Sequence, residues 1–263
     1  MEPMDPCKAP ACIIIGSLEG SSVVRKFAQH NRLRVDDIEG QWESYVTTMV
    51  PEPVPGWERA LVIAGSDKRG TIYGIYSLSE QIGVSPWYWW ADVPPPQRSN
   101  VYARHIRVQH GPPSVKYRGI FLNDEAPSLT GSVLEKIGPC YGFKFYEKVF
   151  ELLLRLKVSS TPLFFKDDPL NQITAHEWGI VISTSHHEPM QRAMTEWFAE
   201  NPEGSWSWLE SKEKIKQYFR EGAQCAKDFE SYITIGMRGD GDRAMAADDP
   251  HTTLRKYWIT NEK

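Results

Sequence analysis

Three times in the second half of this chain, a short apolar run gives way to a polar cluster. Asn123, Asp124 and Glu125 follow a strand-like stretch, Tyr117–Leu122. Ser185, His186, His187 and Glu188 follow Gly179–Ser183. Arg238, Gly239, Asp240, Gly241 and Asp242 follow Tyr232–Met237. Helix-like segments lie between them, at Phe145–Leu156, Pro189–Ala199 and Lys212–Phe229. Strands that alternate with helices specify parallel β/α units, because a parallel neighbour is reached only by a crossover. In such folds ligands gather outside the carboxyl ends of the strands. The three clusters therefore point to one shared site. The plainer reading is that loops are polar wherever they occur.

The first half has the same grammar with more strand. Ala11–Ile15, Glu43–Val50, Ala60–Ala64 and Val101–Val108 read as strands, and Ser21–Gln29 and Arg69–Ile82 as helices. Gly111, Pro112 and Pro113 form the strongest linker signal, which divides the chain into an N-terminal α/β domain, 1–112, and a second domain, 113–263. The fold class expected is α/β throughout.

Composition removes several classes of function. Thirty basic against 34 acidic side chains leave a net charge of −4, without the basic surplus of a nucleic-acid binder. No apolar run approaches the roughly 18–20 residues of a membrane span, so no membrane partner is expected. Cys7, Cys12, Cys140 and Cys225 are scattered, which supports neither a zinc knuckle nor a disulfide framework. Residues 1–10 lack the apolar core of a signal peptide. The ten tryptophans are a rich supply for stacking on sugars, or for a core.

The chemistry suggested is acid/base work by carboxylates. A glycosidase pairs one carboxyl that protonates the leaving oxygen with another that activates water or attacks carbon. Glu125, Glu188, Asp240 and Asp242 are the candidates. A metal reading would recruit His186, His187 and Glu188 with Asp167 and Asp168, but adjacent histidines lack a chelating spacing. No metal or other cofactor is expected. The turn from Gly65 to Thr71 sits where a phosphate loop would, yet Thr71 stands where the Walker pattern has lysine. A glycine turn that starts a helix is the better reading. Trp89, in the block Trp87, Tyr88, Trp89 and Trp90, is a candidate sugar platform, with packing as the alternative. Trp197, Trp206 and Trp208 read as core or loop anchors.

Five segments together resemble glycoside hydrolase family 115. They are Arg69-Gly-Thr-Ile-Tyr-Gly-Ile-Tyr76, Gly83-Val-Ser-Pro-Trp-Tyr-Trp-Trp-Ala-Asp92, Arg118-Gly-Ile-Phe-Leu-Asn-Asp-Glu125, Thr184-Ser-His-His-Glu-Pro-Met190 and Ile235-Gly-Met-Arg-Gly-Asp-Gly-Asp242. The resemblance implies an N-terminal α/β domain followed by a (β/α)8 TIM barrel. It implies inverting removal of α-1,2-linked glucuronic or 4-O-methylglucuronic acid from xylan, and a secreted parent. It also implies that Asn123 and Glu125, then His186, His187 and Glu188, then Arg238, Asp240 and Asp242 line the site, with glucuronoxylan or a glucuronic-acid-bearing oligosaccharide as partner.

Two departures qualify it. The segment Val158–Phe165 matches poorly where the family carries an aromatic second strand, and the family's acidic run shrinks to Asp167 and Asp168. The stretch from Gly111 to Lys263 is about three fifths of the roughly 250 residues that a closed barrel takes. The expectation is an incomplete barrel, read either as an inactive or incomplete fragment of the hydrolase or as a non-catalytic carbohydrate-binding remnant, a faulty gene model included.

Overall fold

The structure is a computed structural model that describes residues 11–123, 125–139, 141–162 and 170–236. It falls into two compact units. The first comprises Met1–Arg118 with Glu151–Ser159, and the second Gly119–Phe150 with Ser160–Lys263.

The first unit is built on a four-stranded mixed sheet. Strand β1 (Ala11–Ser17) runs parallel to β3 (Arg59–Gly65). Strand β2 (Tyr45–Pro51) lies antiparallel to β3 on one side and to the short β4 (Val108–His110) on the other, giving the order β1-β3-β2-β4. β3 is central and reads Ala-Leu-Val-Ile-Ala, buried on both faces as a middle strand with two covered faces requires. Helix α1 (Ser22–Gln29) starts at Ser21, whose hydroxyl accepts from the Val24 amide. Its Val24 and Phe27 join Val46, Val50, Val62 and Ile38 in the core.

Helix α2 (Lys68–Gln81) starts at Asp67, whose carboxylate accepts from the Gly70 amide at 2.7 Å and the Glu43 amide at 2.8 Å. The expected glycine turn is therefore what stands here, and a carboxylate already holds the positive end of the helix. A side chain at Gly70 would meet the Ser44 carbonyl at 2.2 Å, so only glycine lets the helix approach β2 this closely.

The strand expected over Val101–Val108 is reduced to its last residue plus two more. Val101, Tyr102 and Ile106 are exposed, and β2 offers partners only from Tyr45 to Thr47.

The second unit is a parallel array. Strand β5 (Ser160–Pro162) pairs in parallel with β6 (Val181–Ser183). Gly119 bridges Ser160 and Ser231 bridges Ile182, both in parallel. The Ile120 amide donates to the Ser160 carbonyl at 3.3 Å, and the Tyr232 amide to the Ile182 carbonyl at 2.7 Å. The spatial order thus follows the chain order: 119, 160, 182, 231. Helices α3 (Ser128–Lys136) and α4 (Phe143–Arg155) precede β5, α5 (Leu170–Trp178) precedes β6, and α6 (Met194–Glu200) and α7 (Trp208–Ala226) follow it.

A mixed α/β fold is what the sequence implied, and no closed barrel is present among the described residues. The first and last of the expected strands shrink to single bridges. Conversely, the poorly matched segment after α4 does contain a strand, β5. The helix expected at Pro189–Ala199 is broken. Residues Pro189–Gln191 make one 3-10 turn, Met190 and Gln191 take left-handed φ of 52° and 62°, and α6 starts only at Met194.

Trp197, Trp206 and Trp208 are buried with Ile215, Tyr218 and Phe219, as anchors should be. No described helix is long and apolar enough to cross a membrane.

Candidate functional site

Two of the three polar clusters lie partly or wholly among the described residues, both in the second unit. The first leaves the carboxyl end of the segment through Gly119 and Ile120. Asn123 and Glu125 are exposed there. The Glu125 carbonyl accepts from the amides of Leu129 and Thr130, at 3.1 and 3.2 Å, and so ties the loop to the first turn of α3. Its carboxylate remains at the surface.

The second cluster leaves the carboxyl end of β6, parallel to the first segment. Here the chain turns sharply. The Glu188 amide donates to the Ser185 carbonyl at 3.0 Å, and the Thr184 hydroxyl donates to the Glu188 carbonyl at 2.7 Å. The Glu188 carboxylate is buried and accepts from the Ser185 amide at 3.2 Å. A carboxylate that accepts a backbone N–H is held in one orientation. The rings of His186 and His187 stand 4.2 Å apart at 48°. The His187 amide donates to the Ser185 hydroxyl at 3.4 Å, and its carbonyl accepts from the Met194 amide at 3.1 Å.

This loop is braced against the end of the fourth segment. The Thr234 hydroxyl donates to the Thr184 carbonyl at 2.7 Å, and the Met190 amide donates to the Thr234 carbonyl at 2.8 Å. The third cluster, Arg238, Asp240 and Asp242, lies outside the described residues, as do Asp124, Asp167 and Asp168. Thr234 nevertheless leads toward it, four residues before Arg238 in the chain. Trp89 belongs to the first unit, where its ring meets Trp90 edge-on at 4.7 Å. The neighbouring Tyr88 hydroxyl donates to Glu151 at 3.1 Å.

Gln191 was not legible as a functional candidate. It is 8% exposed, its backbone is left-handed, and its Nε2 has no hydrogen-bond partner among the described residues. Two successive left-handed residues are costly, at about 1–3 kcal/mol each, and such strain concentrates at functional loops. In the sequence Gln191 is simply a glutamine after Pro189 and Met190, with no pattern to mark it.

The arrangement is held by Arg192. Its guanidinium pairs with Glu196 at 2.7 Å and Glu200 at 2.6 Å, approaches Glu221 at 3.3 Å, and lies 3.9 Å over the Tyr218 ring. The Tyr218 hydroxyl donates to the Ala193 carbonyl at 2.6 Å. Burial, partly offset by Arg192, keeps that hydroxyl protonated well above the usual tyrosine range.

Chemically, the described part of the site offers one fixed buried carboxylate, one exposed carboxylate, two imidazoles and a buried amide. No group of three or more metal-ligand side chains stands together among the described residues.

The model of glycosyl hydrolase family 115 matches residues 110–262, more than half of the chain. No match was found among the curated proteins. Among solved structures, a family GH115 4-O-methyl-alpha-glucuronidase with specificity for decorated arabinogalactans matches with a TM-score of 0.80 and 27% identity. The match covers 95% of this chain and 34% of that one, so the chain spans about a third of the length of the structure it resembles.

Proposed function

The chain belongs to glycosyl hydrolase family 115, and from that premise we propose that its second unit is the first part of a (β/α)8 barrel carrying part of an α-glucuronidase site. The reaction is inverting hydrolysis of α-1,2-linked glucuronic or 4-O-methylglucuronic acid from a polysaccharide such as glucuronoxylan. The observation that carries this reading is the parallel order 119, 160, 182, 231, with the Asn123–Glu125 and His186–Glu188 loops both leaving carboxyl ends. Sites of β/α barrels are assembled from such loops on several strands.

Glu125, Glu188, Asp240 and Asp242 supply the acid and the base between them. In an inverting enzyme the two carboxyls stand roughly 6.5–9.5 Å apart, leaving room for the attacking water. Asn123, His186 and His187 contact sugar hydroxyls, with Trp89 as a further substrate contact. Arg238 meets the uronate, for which a planar guanidinium fork is the best-matched partner.

The described residues do not close a barrel around this site. Ile120 and Phe121, beside the first bridge of the array, are exposed, as are Tyr232 and Ile233 beside the last. These exposed apolar side chains support further barrel wall in the full-length enzyme. Without it, the carboxyls lack the enclosure that fixes their separation.

The roles are tested in a full-length relative with the same motifs. Glu125→Gln, Glu188→Gln, Asp240→Asn and Asp242→Asn are assayed singly for uronic acid release. The two that lose at least about 100-fold in kcat are the acid and base, and four near-normal rates would sink the assignment. Arg238→Lys should weaken glucuronate binding, and unchanged binding would remove Arg238 from the site.

A further inference from the structure

The hairpin between β2 and β3, in the first unit, borders a cavity of about 530 Å3. Its lining includes Arg32, Glu52, Val54, Pro55, Trp57 and Glu58. It is a shallow recess largely open to solvent, with room for a single sugar ring. The hairpin is braced from both sides. The Glu52 amide donates to the Glu58 carbonyl at 2.8 Å. The Arg32 guanidinium donates to the carbonyls of Pro51 at 2.5 Å, of Pro53 at 3.4 Å and of Glu52. Arg32 is thus turned to the backbone of the turn, and its N–H groups are engaged in holding the wall.

What remains available is chemically distinctive. Trp57 is half-buried, and its indole N–H and ring have no hydrogen-bond, stacking or cation–π partner among the described residues. Glu52 and Glu58 are exposed and form no ion pair among the described residues. Its lining therefore includes one aromatic residue, proline and valine, and two residues that bear carboxylates. Two carboxylates against one guanidinium repel an anion. They accept well from hydroxyl groups, while the indole takes the C–H face of a ring.

We infer that this cavity is a carbohydrate subsite for a neutral pyranose of the polysaccharide backbone, and that it excludes the acidic decoration. It rests on the saccharide reading of the chain and divides the labour within it: the second unit takes the uronate, and the hairpin of the first holds undecorated chain. Isothermal titration of the whole chain with xylohexaose and, separately, with sodium glucuronate tests it. Trp57→Ala should weaken xylohexaose binding by about tenfold, the loss of one ring contact. The double variant Glu52→Gln, Glu58→Gln should weaken it too, and Trp57→Phe should restore most of it. Glucuronate affinity should be the same in all four proteins. Xylohexaose binding that is absent, or unchanged in Trp57→Ala, overturns the subsite. If glucuronate still binds, only the subsite falls. If neither sugar binds, the saccharide reading falls with it.

Discussion

Glu43 is the most consequential single side chain in the first unit. Its carboxylate is fully buried and holds Arg69 at 2.8 Å and Arg118 at 2.6 Å. Arg118 also donates to the Tyr73 hydroxyl at 3.3 Å and to the Lys157 and Val115 carbonyls at 2.7 Å. One carboxylate thus ties helix α2 to the chain at Arg118.

Glu43→Gln keeps the shape and removes the negative charge that both guanidiniums share. Breaking a buried pair costs about 3–5 kcal/mol. Counted instead as two charge-assisted hydrogen bonds, the loss is about 1.5–3 kcal/mol each. Arg118 is one quarter exposed and Arg69 12%, so water recovers part of it, and about 3 kcal/mol is the expected net loss. Urea unfolding followed by tryptophan fluorescence measures it as a lower midpoint at unchanged slope. A loss below about 1 kcal/mol would refute the view that this pair organises the unit.

Gly222→Ala should destabilise the second unit by about 1–3 kcal/mol, because a new Cβ on α7 would stand 2.2 Å from the Met190 carbonyl. A melt with an unchanged midpoint would contradict that packing. Trp197→Ala, at a side chain 1% exposed, should cost about 3–5 kcal/mol by leaving a cavity, seen in the same melt. His110 is exposed overall but stacks on Tyr45 at 5.0 Å, and this partial desolvation, with the charge of Lys157, lowers its pKa below the ordinary 6.5. The unfolded chain then binds the proton more readily than the folded one. The stability His110 contributes is complete above the unfolded value and declines as pH falls below it, until the folded value is passed. Proton NMR of the imidazole checks this, and a midpoint at or above 6.5 would contradict the lowered value.

The elements legible in the sequence were those whose local signals agree with their surroundings. β3 is apolar on both faces because it is central, and Ser21 and Asp67 are strong N-caps at the helix starts where they stand. β5 was missed because Ser160, Thr161 and Pro162 carry no apolar signature; parallel pairing with β6 makes it a strand. α3 and α5 were missed as well. α3 has a single fully buried side chain, Val133, and α5 buries Asn171 and Thr174 beside Ala175, so neither shows a clean apolar stripe. The break at Met190 follows from long-range contacts with Thr234 and with α7 at Gly222, which no local window contains.

Of the candidate site, sequence order was enough to find the loops after the strands. It did not separate the buried, backbone-held carboxylate of Glu188 from the exposed one of Glu125. It also gave no hint of Gln191, whose peculiarity is its conformation.

The central claim is that this span holds part of a glucuronidase site without the enclosure that makes it work. The direct measurement is to express residues Met1–Lys263, record a thermal melt, and assay release of 4-O-methylglucuronic acid from glucuronoxylan. The expected result is no detectable release. Clear turnover by a soluble monomer with a cooperative melt would contradict the claim and make the partial barrel a working site.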